Sequence, residues 1–123
     1  LMKLNEYQER AMQTCMPASM NYSYMMGNLG AEVGEFSGKV HKAQRKGLIK
    51  YDEQGNILWT GKDWNEACQF NTELKKEAGD ILWQLAGLCK VMGWNLNDVA
   101  TMNLDKLASR KSRGVIDGEG DNR

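Results

Sequence analysis

The chain has 123 residues, of which 41% are hydrophobic and 26% charged, a balance that predicts one soluble globular domain rather than a disordered chain. The chain has 16 basic and 16 acidic residues, whereas a protein that binds a nucleic acid polymer usually carries a basic excess, so we expect no nucleic acid partner. The apolar runs are too short to span a membrane and the opening residues lack the apolar stretch of a signal peptide, so we expect a cytoplasmic protein with no membrane partner.

The first half of the chain shows two helical patterns separated by the single proline. Apolar residues recur at helical spacing from about residue 4 to residue 15, which predicts a first helix that ends before Pro17. A second helix is predicted from about residue 19 to residue 46, where Gly47 can end it. The apolar stripe of this second helix consists of Leu29, Val33, Phe36 and Val40.

The middle of the chain changes from a helical to a strand-like pattern. Residues 49–51 and 57–59 flank a polar segment that contains Gly55, and this arrangement predicts a short β-hairpin. Because an isolated two-stranded hairpin is only marginally stable in water, we expect it to pack on the helices or on another subunit.

Helical spacing returns after the hairpin. Asp63 is expected to begin a third helix that ends at Gly93, and Asn95 to begin a last helix. The glycine-rich residues 114–123 are predicted to form a flexible tail behind a domain at residues 1–113. The predicted fold is therefore all-α, a small four-helix-type bundle with a β-hairpin inserted between the second and third helices. The apolar stripe of the third helix consists of Ala78, Ile81, Leu82, Leu85, Cys89 and Met92.

Two of these helices carry a pair of carboxylates three residues apart, a spacing that places each pair on one helix face. The second helix has Glu32 and Glu35, and the third has Glu77 and Asp80. Each pair flanks an apolar stripe, so packing of the stripes would bring all four acids to one edge of the shared core. Like charges at that distance repel, and a cation relieves the repulsion. Carboxylate oxygens in this pattern suit a hard ion such as Mg²⁺ or Mn²⁺.

One such pair alone is most often a solvated acidic face of a helix. Two pairs, both beside apolar stripes and among small residues, favour a site, because small residues allow helices to approach closely. An interior glycine costs a helix roughly 1 kcal/mol, so glycines beside the acids indicate close packing or a functional cleft. The small residues concerned are Gly30, Ala31, Gly34, Ala78 and Gly79.

The cysteine and histidine content excludes other metal chemistries. Cys15, Cys68 and Cys89 are widely spaced and form no CxxC pair, so we interpret them as reduced thiols rather than zinc ligands. Di-iron bundles use Glu-x-x-His motifs, and the single histidine, His41, has Gly38 three positions before it. Redox-inert Mg²⁺ or Mn²⁺ chemistry remains.

At the acidic pairs the sequence resembles the MazG-like, all-α nucleoside triphosphate pyrophosphohydrolases, and the resemblance covers most of the chain. It differs from the family at Ala31, where a second acid often stands, and in the 41 residues that separate Glu35 from Glu77. The segments that carry the resemblance are residues 4–8, 29–36 (LGAEVGEF), 77–88 (EAGDILWQLAGL), 103–107 with Arg110 and Arg113 after it, and 118–123 (GEGDNR).

The resemblance implies an enzyme that hydrolyses (deoxy)nucleoside triphosphates to the monophosphate and pyrophosphate. It implies that the cofactor is Mg²⁺, which Mn²⁺ can replace, and that a homodimer or homotetramer forms. The biological purpose would be removal of non-standard nucleotides or control of a nucleotide pool. The residues implied as both metal ligands and catalytic groups are Glu32, Glu35, Glu77 and Asp80.

Basic and polar residues of the last helix are candidates for substrate binding. Asn103 and Lys106 match substrate-facing positions of the family, and Arg110 lies one turn further on. The alternative is that these basic residues only suit the C-terminal end of a helix, where positive charge is favourable. Lys39 and Lys42, on the helix of the first acidic pair, are weaker candidates, because a solvated face explains them as well.

Aromatic residues and one glutamine are candidates for contacts with the base. Trp59 and Trp64 can stack on a base, or can pack the hairpin onto the bundle, and Gln8 can hydrogen-bond to a base edge. Trp83 points away from the predicted stripe of its helix, so we expect it to be exposed and to mark an interface between subunits.

Two other functions fit the same residues. One is hydrolysis of a different pyrophosphate compound by the same fold, and an activity that ignores the base would favour it. The other is a non-catalytic helical interaction module whose acids form a solvated face. Loss of every dependence on metal would favour this last interpretation.

Overall fold

The structure is a computed structural model that describes residues 1–118, 120 and 121, so positions 119, 122 and 123 of the predicted tail lie outside the described residues. It confirms an all-α bundle with a two-stranded antiparallel hairpin between the second and third long helices. None of the described helices is both long and apolar enough to cross a membrane. In chain order the elements are α1 (Leu4–Met12), a 3-10 turn (Pro17–Ser19), α2 (Tyr22–Arg45), β1 (Ile49–Tyr51), β2 (Ile57–Trp59), α3 (Trp64–Val91) and α4 (Leu96–Arg113).

Local signals account for most of these boundaries. The side-chain oxygen of Asp63 accepts a hydrogen bond from the Asn65 amide at 2.9 Å, and that of Asn95 accepts one from the Asp98 amide at 2.8 Å, as expected of helix N-caps. Gly47 and Gly93 follow α2 and α3 with φ angles of 73° and 79°, a left-handed conformation that favours glycine.

Two predicted boundaries are wrong by three residues. α1 ends at Met12 rather than at residue 15, because the amide and the hydroxyl of Thr14 both donate to the Ala11 carbonyl and close the last turn. α2 begins at Tyr22 rather than near residue 19, where the chain forms the 3-10 turn, and the Asn21 side chain caps it.

The hairpin is an extension of the α2–α3 pair. Its strands pair with Ile49 opposite Trp59, and buried Ile49 packs on the C-terminal half of α2. Thr60 closes the hairpin's base, with its amide 2.8 Å from the Leu48 carbonyl and its hydroxyl 2.9 Å from that of Gly47. This confirms the expectation that the hairpin packs on the helices.

The antiparallel helices α2 and α3 enclose two separate apolar cores. The first lies where the start of α2 meets the end of α3, and the second lies at the opposite end of the pair, beneath the hairpin. The acidic residues of both helices lie between the two cores along the chain. The buried residues of the first core are Met12, Met25, Ala86, Cys89 and Leu96, and those of the second are Val40, Ala43 and Ile49.

The helix faces that pack inward differ from the predicted stripes. On α3 the buried residues are Gln84, Ala86, Gly87 and Cys89, whereas Leu82 and Leu85 are each 39% exposed. On α2 Val33 is 50% exposed, although Val40 of the same stripe is buried. The physical reason is close approach: a Cβ atom on Gly87 would overlap the side chain of fully buried Met25, so the smallest residues face the partner helix.

The expected exposure of Trp83 is also wrong. The indole is partly buried against the first core, and its Nε1 donates to the Ala11 carbonyl at 3.2 Å and to the Thr14 hydroxyl at 3.0 Å. Trp83 therefore joins α3 to the end of α1, because its side of α3 faces the N-terminal helix and not solvent.

Candidate active site

Three of the four predicted acids come together between the two cores. Glu32 of α2 and Glu77 and Asp80 of α3 each offer a carboxylate oxygen, and the three oxygens lie within 4.8 Å of one another. The spacing of three residues keeps Glu77 and Asp80 on one face of α3, and the antiparallel packing of α2 places Glu32 opposite them.

Two oxygens of this cluster lack the partners that buried polar atoms require. Oε2 of Glu32 and Oε2 of Glu77 are buried, and neither has a hydrogen-bond partner among the described residues. The Glu77 side chain is only 12% exposed, and its other oxygen lies 3.5 Å from the ammonium group of Lys39. Buried carboxylate oxygens without partners are costly, so this arrangement is suited to a positive ion.

The electrostatics of Glu32 agree with that conclusion. Burial raises the pKa of the Glu32 carboxyl, and the charges of Glu35, Asp80 and Glu77 raise it further. A carboxyl group whose surroundings disfavour its charge gains the most from a nearby cation. The donor set is made of oxygen atoms alone, as Mg²⁺ and Mn²⁺ prefer, so the residues present fit such an ion.

Glu35 lies beside the cluster without being one of its three members. Its carboxyl group neighbours that of Glu32, one turn earlier on α2, and it is the largest charge that raises the Glu32 pKa. The structure therefore brings Glu35 to the edge of the site, and Glu35 is more exposed than Glu32.

Two further residues interact with the cluster, and the sequence analysis did not place either of them among the main site residues. Lys39 forms the ion pair with Glu77, four residues after Glu35 and on the same face of α2. Tyr7 of α1 lies close enough to the site for the charge of Asp80 to raise its phenol pKa, although burial is the larger cause. Helical spacing could have indicated Lys39, whereas the approach of α1 to the site has no local signal.

A cleft of about 270 Å³ adjoins the acid cluster on the hairpin side. Lys39 belongs to both, since it lines the cleft and pairs with Glu77. Trp59 forms part of the wall and packs against Phe70 with ring centroids 5.8 Å apart. The lining residues are Lys39, Lys42, Ala43, Lys46, Leu48, Trp59, Glu66, Gln69, Phe70 and Glu73.

The two tryptophans predicted to contact a base occupy different surroundings. Trp59 is half-buried, packs the hairpin onto the second core and lines the cleft, so the packing role is confirmed and stacking on a base stays a prediction. Its indole nitrogen is buried and has no hydrogen-bond partner among the described residues. Trp64 begins α3, is 75% exposed and does not line the cleft.

Gln8, also predicted to contact a base, is buried among backbone groups. Its Nε2 donates to the carbonyls of Ala86 and Trp94 at 3.1 and 3.0 Å, and its Oε1 accepts from the Leu96 amide at 3.1 Å. A base could reach this amide group only if those bonds were broken, so the structure gives Gln8 the role of joining α1 to the α3–α4 connection.

The three candidates on α4 are not brought to the acid cluster within this chain. α4 packs chiefly against α1, and Asn103 is exposed. Lys106 and buried Arg110 both bind Asp121 of the tail, at 2.9 and 2.8 Å. Their cationic groups are therefore paired with the chain's own C-terminal segment.

Comparison with known proteins decides the family. Residues 21–115 match the family model of the MazG nucleotide pyrophosphohydrolase domain. The chain belongs to the MazG family. Within that match lie the four acids, Lys39, the hairpin and the α4 candidates, whereas Gln8 and Asp121 lie outside it.

This MazG protein also resembles a phage protein. It is 39% identical over 101 residues to the Gene 37 protein of Mycobacterium phage L5, an overlap that covers 82% of this chain and 75% of the phage protein. No solved structure matches the chain. The MazG family is typically metal-dependent, and the acid cluster offers this member a place for the ion.

Proposed function

We propose that this MazG protein is a Mg²⁺-dependent pyrophosphohydrolase that converts free (deoxy)nucleoside triphosphates in the cytoplasm to the monophosphate and pyrophosphate. The observation that carries the proposal is the cluster of Glu32, Glu77 and Asp80, in which two buried oxygens have no hydrogen-bond partner. Family membership supplies the reaction class, and the cluster supplies a site for the metal that such a reaction needs.

The four acids have two different proposed roles, metal binding and proton transfer. Glu32, Glu77 and Asp80 would hold the ion, and Mg²⁺ bound there supplies charge neutralisation of the triphosphate and a lowered pKa of bound water. Glu35 lies at the edge of the cluster, and its carboxylate is the group we propose to accept the proton of the attacking water. Lys39 holds Glu77 in place and offers a positive charge at the entrance of the cleft.

The cleft is the proposed position of the nucleoside. It begins at Lys39, next to the acids, and has an aromatic wall at Trp59. A triphosphate bound at the acids can therefore place its base on the Trp59 side, where an aromatic ring lines the cleft. Trp64, at the rim of the hairpin, stays a proposed secondary contact.

The exposed apolar surface supports a homodimer or homotetramer. Seven large aliphatic side chains on α2, α3 and α4 are exposed by 38% or more, and exposed surface of this kind marks protein–protein contacts. Light scattering on a sizing column tests the proposal, with Leu104→Glu expected to lower the molar mass. Recovery of a monomer from the native protein would contradict it. The residues concerned are Met26, Val33, Leu82, Leu85, Met102, Leu104 and Leu107.

The decisive experiment is an assay of pyrophosphate release from a panel of NTPs and dNTPs. We expect release with Mg²⁺ or Mn²⁺ and none in chelator, with loss in Glu35→Gln and Asp80→Asn. Glu53→Gln is the matched control, because Glu53 is an exposed acid of the hairpin turn. Mg²⁺ should also raise the melting temperature of the native protein and of Glu53→Gln, but not that of Glu77→Gln.

The panel separates the alternatives. If no triphosphate is cleaved while Mg²⁺ still raises the melting temperature, the metal site holds and the substrate is wrong. Cleavage at one rate for every base, unchanged in Trp59→Leu, would contradict the placement of the base in the cleft. A single nucleotide cleaved far above the others would favour control of one nucleotide pool, whereas activity on non-standard nucleotides would favour their removal.

A further inference from the structure

The C-terminal segment returns to α4 and places a carboxylate on two cations. Oδ1 of Asp121 accepts hydrogen bonds from Nζ of Lys106 at 2.9 Å and from Nη2 of Arg110 at 2.8 Å. The same guanidinium nitrogen also donates to the carbonyl of Gly120 at 3.3 Å. A single oxygen that lies between an ammonium and a guanidinium group occupies the position that a phosphate oxygen would take.

The cations belong to the fold, whereas the anion lies at the surface. Arg110 is only 4% exposed, so its charge is held within the packed structure, but the Asp121 side chain is 79% exposed. Nε of Arg110 is buried and has no hydrogen-bond partner among the described residues. Asp121 thus leaves one buried donor of the guanidinium group without an acceptor. An anion with more oxygens could replace Asp121 and accept from that donor as well.

Asp121 remains an anion under all ordinary conditions. The hydrogen bond from Lys106, followed by that from Arg110, lowers the pKa of its carboxyl group to about 2. Protonation therefore does not free the two cations near neutral pH.

We propose that Lys106 and Arg110 form a phosphate-binding pair which the chain's own Asp121 occupies as an internal competing anion until a polyphosphate displaces it. The proposal rests on the proposed function together with the sequence-based prediction that these cations bind the triphosphate, and it adds the residue that regulates access to them. When an internal group occupies a site, the apparent dissociation constant of a ligand is the intrinsic one divided by the unoccupied fraction. A tail bound for roughly 70–90% of the time would weaken binding about 3- to 10-fold.

The test measures binding without catalysis. Inorganic tripolyphosphate is titrated calorimetrically into the full chain in the presence of EDTA, so that neither metal nor base contributes. Asp121→Asn removes the charge at the tail. Asp117→Asn is the matched control, since Asp117 is an exposed tail acid that forms no ion pair with any of the residues the structure describes. Lys106→Gln is combined with Asp121→Asn to locate the binding, because Lys106 is exposed enough to be replaced without disturbing the fold.

We expect Asp121→Asn to bind tripolyphosphate about 3- to 10-fold more tightly than the native chain, Asp117→Asn to match the native chain, and Lys106→Gln to abolish the gain. Unchanged or weaker binding by Asp121→Asn would overturn the proposal, and so would an equal gain in Asp117→Asn or a gain that survives Lys106→Gln. In the pyrophosphate assay with Mg²⁺, Asp121→Asn should lower KM and leave kcat unchanged.

The two arms separate this inference from the proposed function. Tighter tripolyphosphate binding without cleavage of any triphosphate would support the internal anion and contradict the reaction. Cleavage of triphosphates with the same KM and the same tripolyphosphate affinity in both chains would support the reaction and contradict the internal anion.

Discussion

Replacement of Gln8 by alanine separates a structural role from a role in base recognition. The substitution removes three hydrogen bonds of 3.0–3.1 Å and leaves the Ala86 carbonyl and the Leu96 amide without their side-chain partner in a buried region. A typical hydrogen bond contributes about 0.5–1.5 kcal/mol net, and a buried group left without a partner costs more. We therefore expect Gln8→Ala to lower the free energy of unfolding by about 2–4 kcal/mol.

The measurement is urea denaturation at one protein concentration, with Gln44→Ala as the control, because Gln44 is an exposed glutamine within α2. With a slope of about 1–3 kcal/mol per molar urea, the midpoint of Gln8→Ala should fall by at least about 0.7 M at an unchanged slope. The relative rates of cleavage across the nucleotide panel should stay the same. A stability loss below about 0.5 kcal/mol, together with altered base preference, would refute the structural assignment and restore the sequence-based prediction.

Four further substitutions test the packing and the charge of the site. In the same denaturation assay Gly87→Ala should destabilise the protein by about 1–3 kcal/mol, because the new methyl group would overlap the fully buried Met25. Gly38→Ala should stabilise it by about 0.5–1 kcal/mol, because a Cβ atom there would meet no atom within 4 Å. Trp83→Phe should cost about 1–2 kcal/mol through the lost indole hydrogen bonds, and an unchanged midpoint would contradict the contact with α1. Because the Glu32 pKa is raised above its usual 4.5, the protonated carboxyl stabilises the metal-free fold at low pH, and this stabilisation is lost as the pH rises through the raised value. Glu32→Gln should therefore have a higher melting temperature than the native chain at pH 7 in chelator. It should also lose the increase in melting temperature that Mg²⁺ gives.

Local patterns were sufficient for the elements and for the acidic pairs. Asp63, Asn95 and Gly47 act at the helix ends through the bonds and backbone angles that their residue types favour. A spacing of three residues keeps Glu77 and Asp80 together once any helix forms there. These features depend on a few neighbouring residues, which is why the sequence predicts them.

The face that each helix turns inward could not be predicted in the same way. Residues 81–91 of α3 are apolar around much of the helix, so periodicity alone does not distinguish the side that meets α2 from the side left exposed. Close approach was decided by Ala86 and Gly87, small residues that carry little weight in a hydrophobic pattern. The same limit explains the error at Trp83.

The remaining gaps concern contacts between distant parts of the chain. The hydrogen-bond partners of Gln8 lie 78 to 88 residues away in the sequence, and no local pattern predicts them. The cations of α4 were expected beside the acids, but α4 packs on α1 and its Lys106 and Arg110 bind the tail. A glycine-rich segment carries no periodicity, so its return to the helix had no signal in the sequence.

The hydrogen bonds between α4 and α1 constrain the order in which parts of the protein can fold during synthesis. The α2–hairpin–α3 unit contains its own second core and can form as soon as residue 91 is available. Asn5 and Gln8, however, receive the amides of Asn97 and Leu96 only after the ribosome has released those residues. Until then the side chains of Asn5 and Gln8 lack these backbone partners, and α1 lacks the hydrogen bonds that join it to α4.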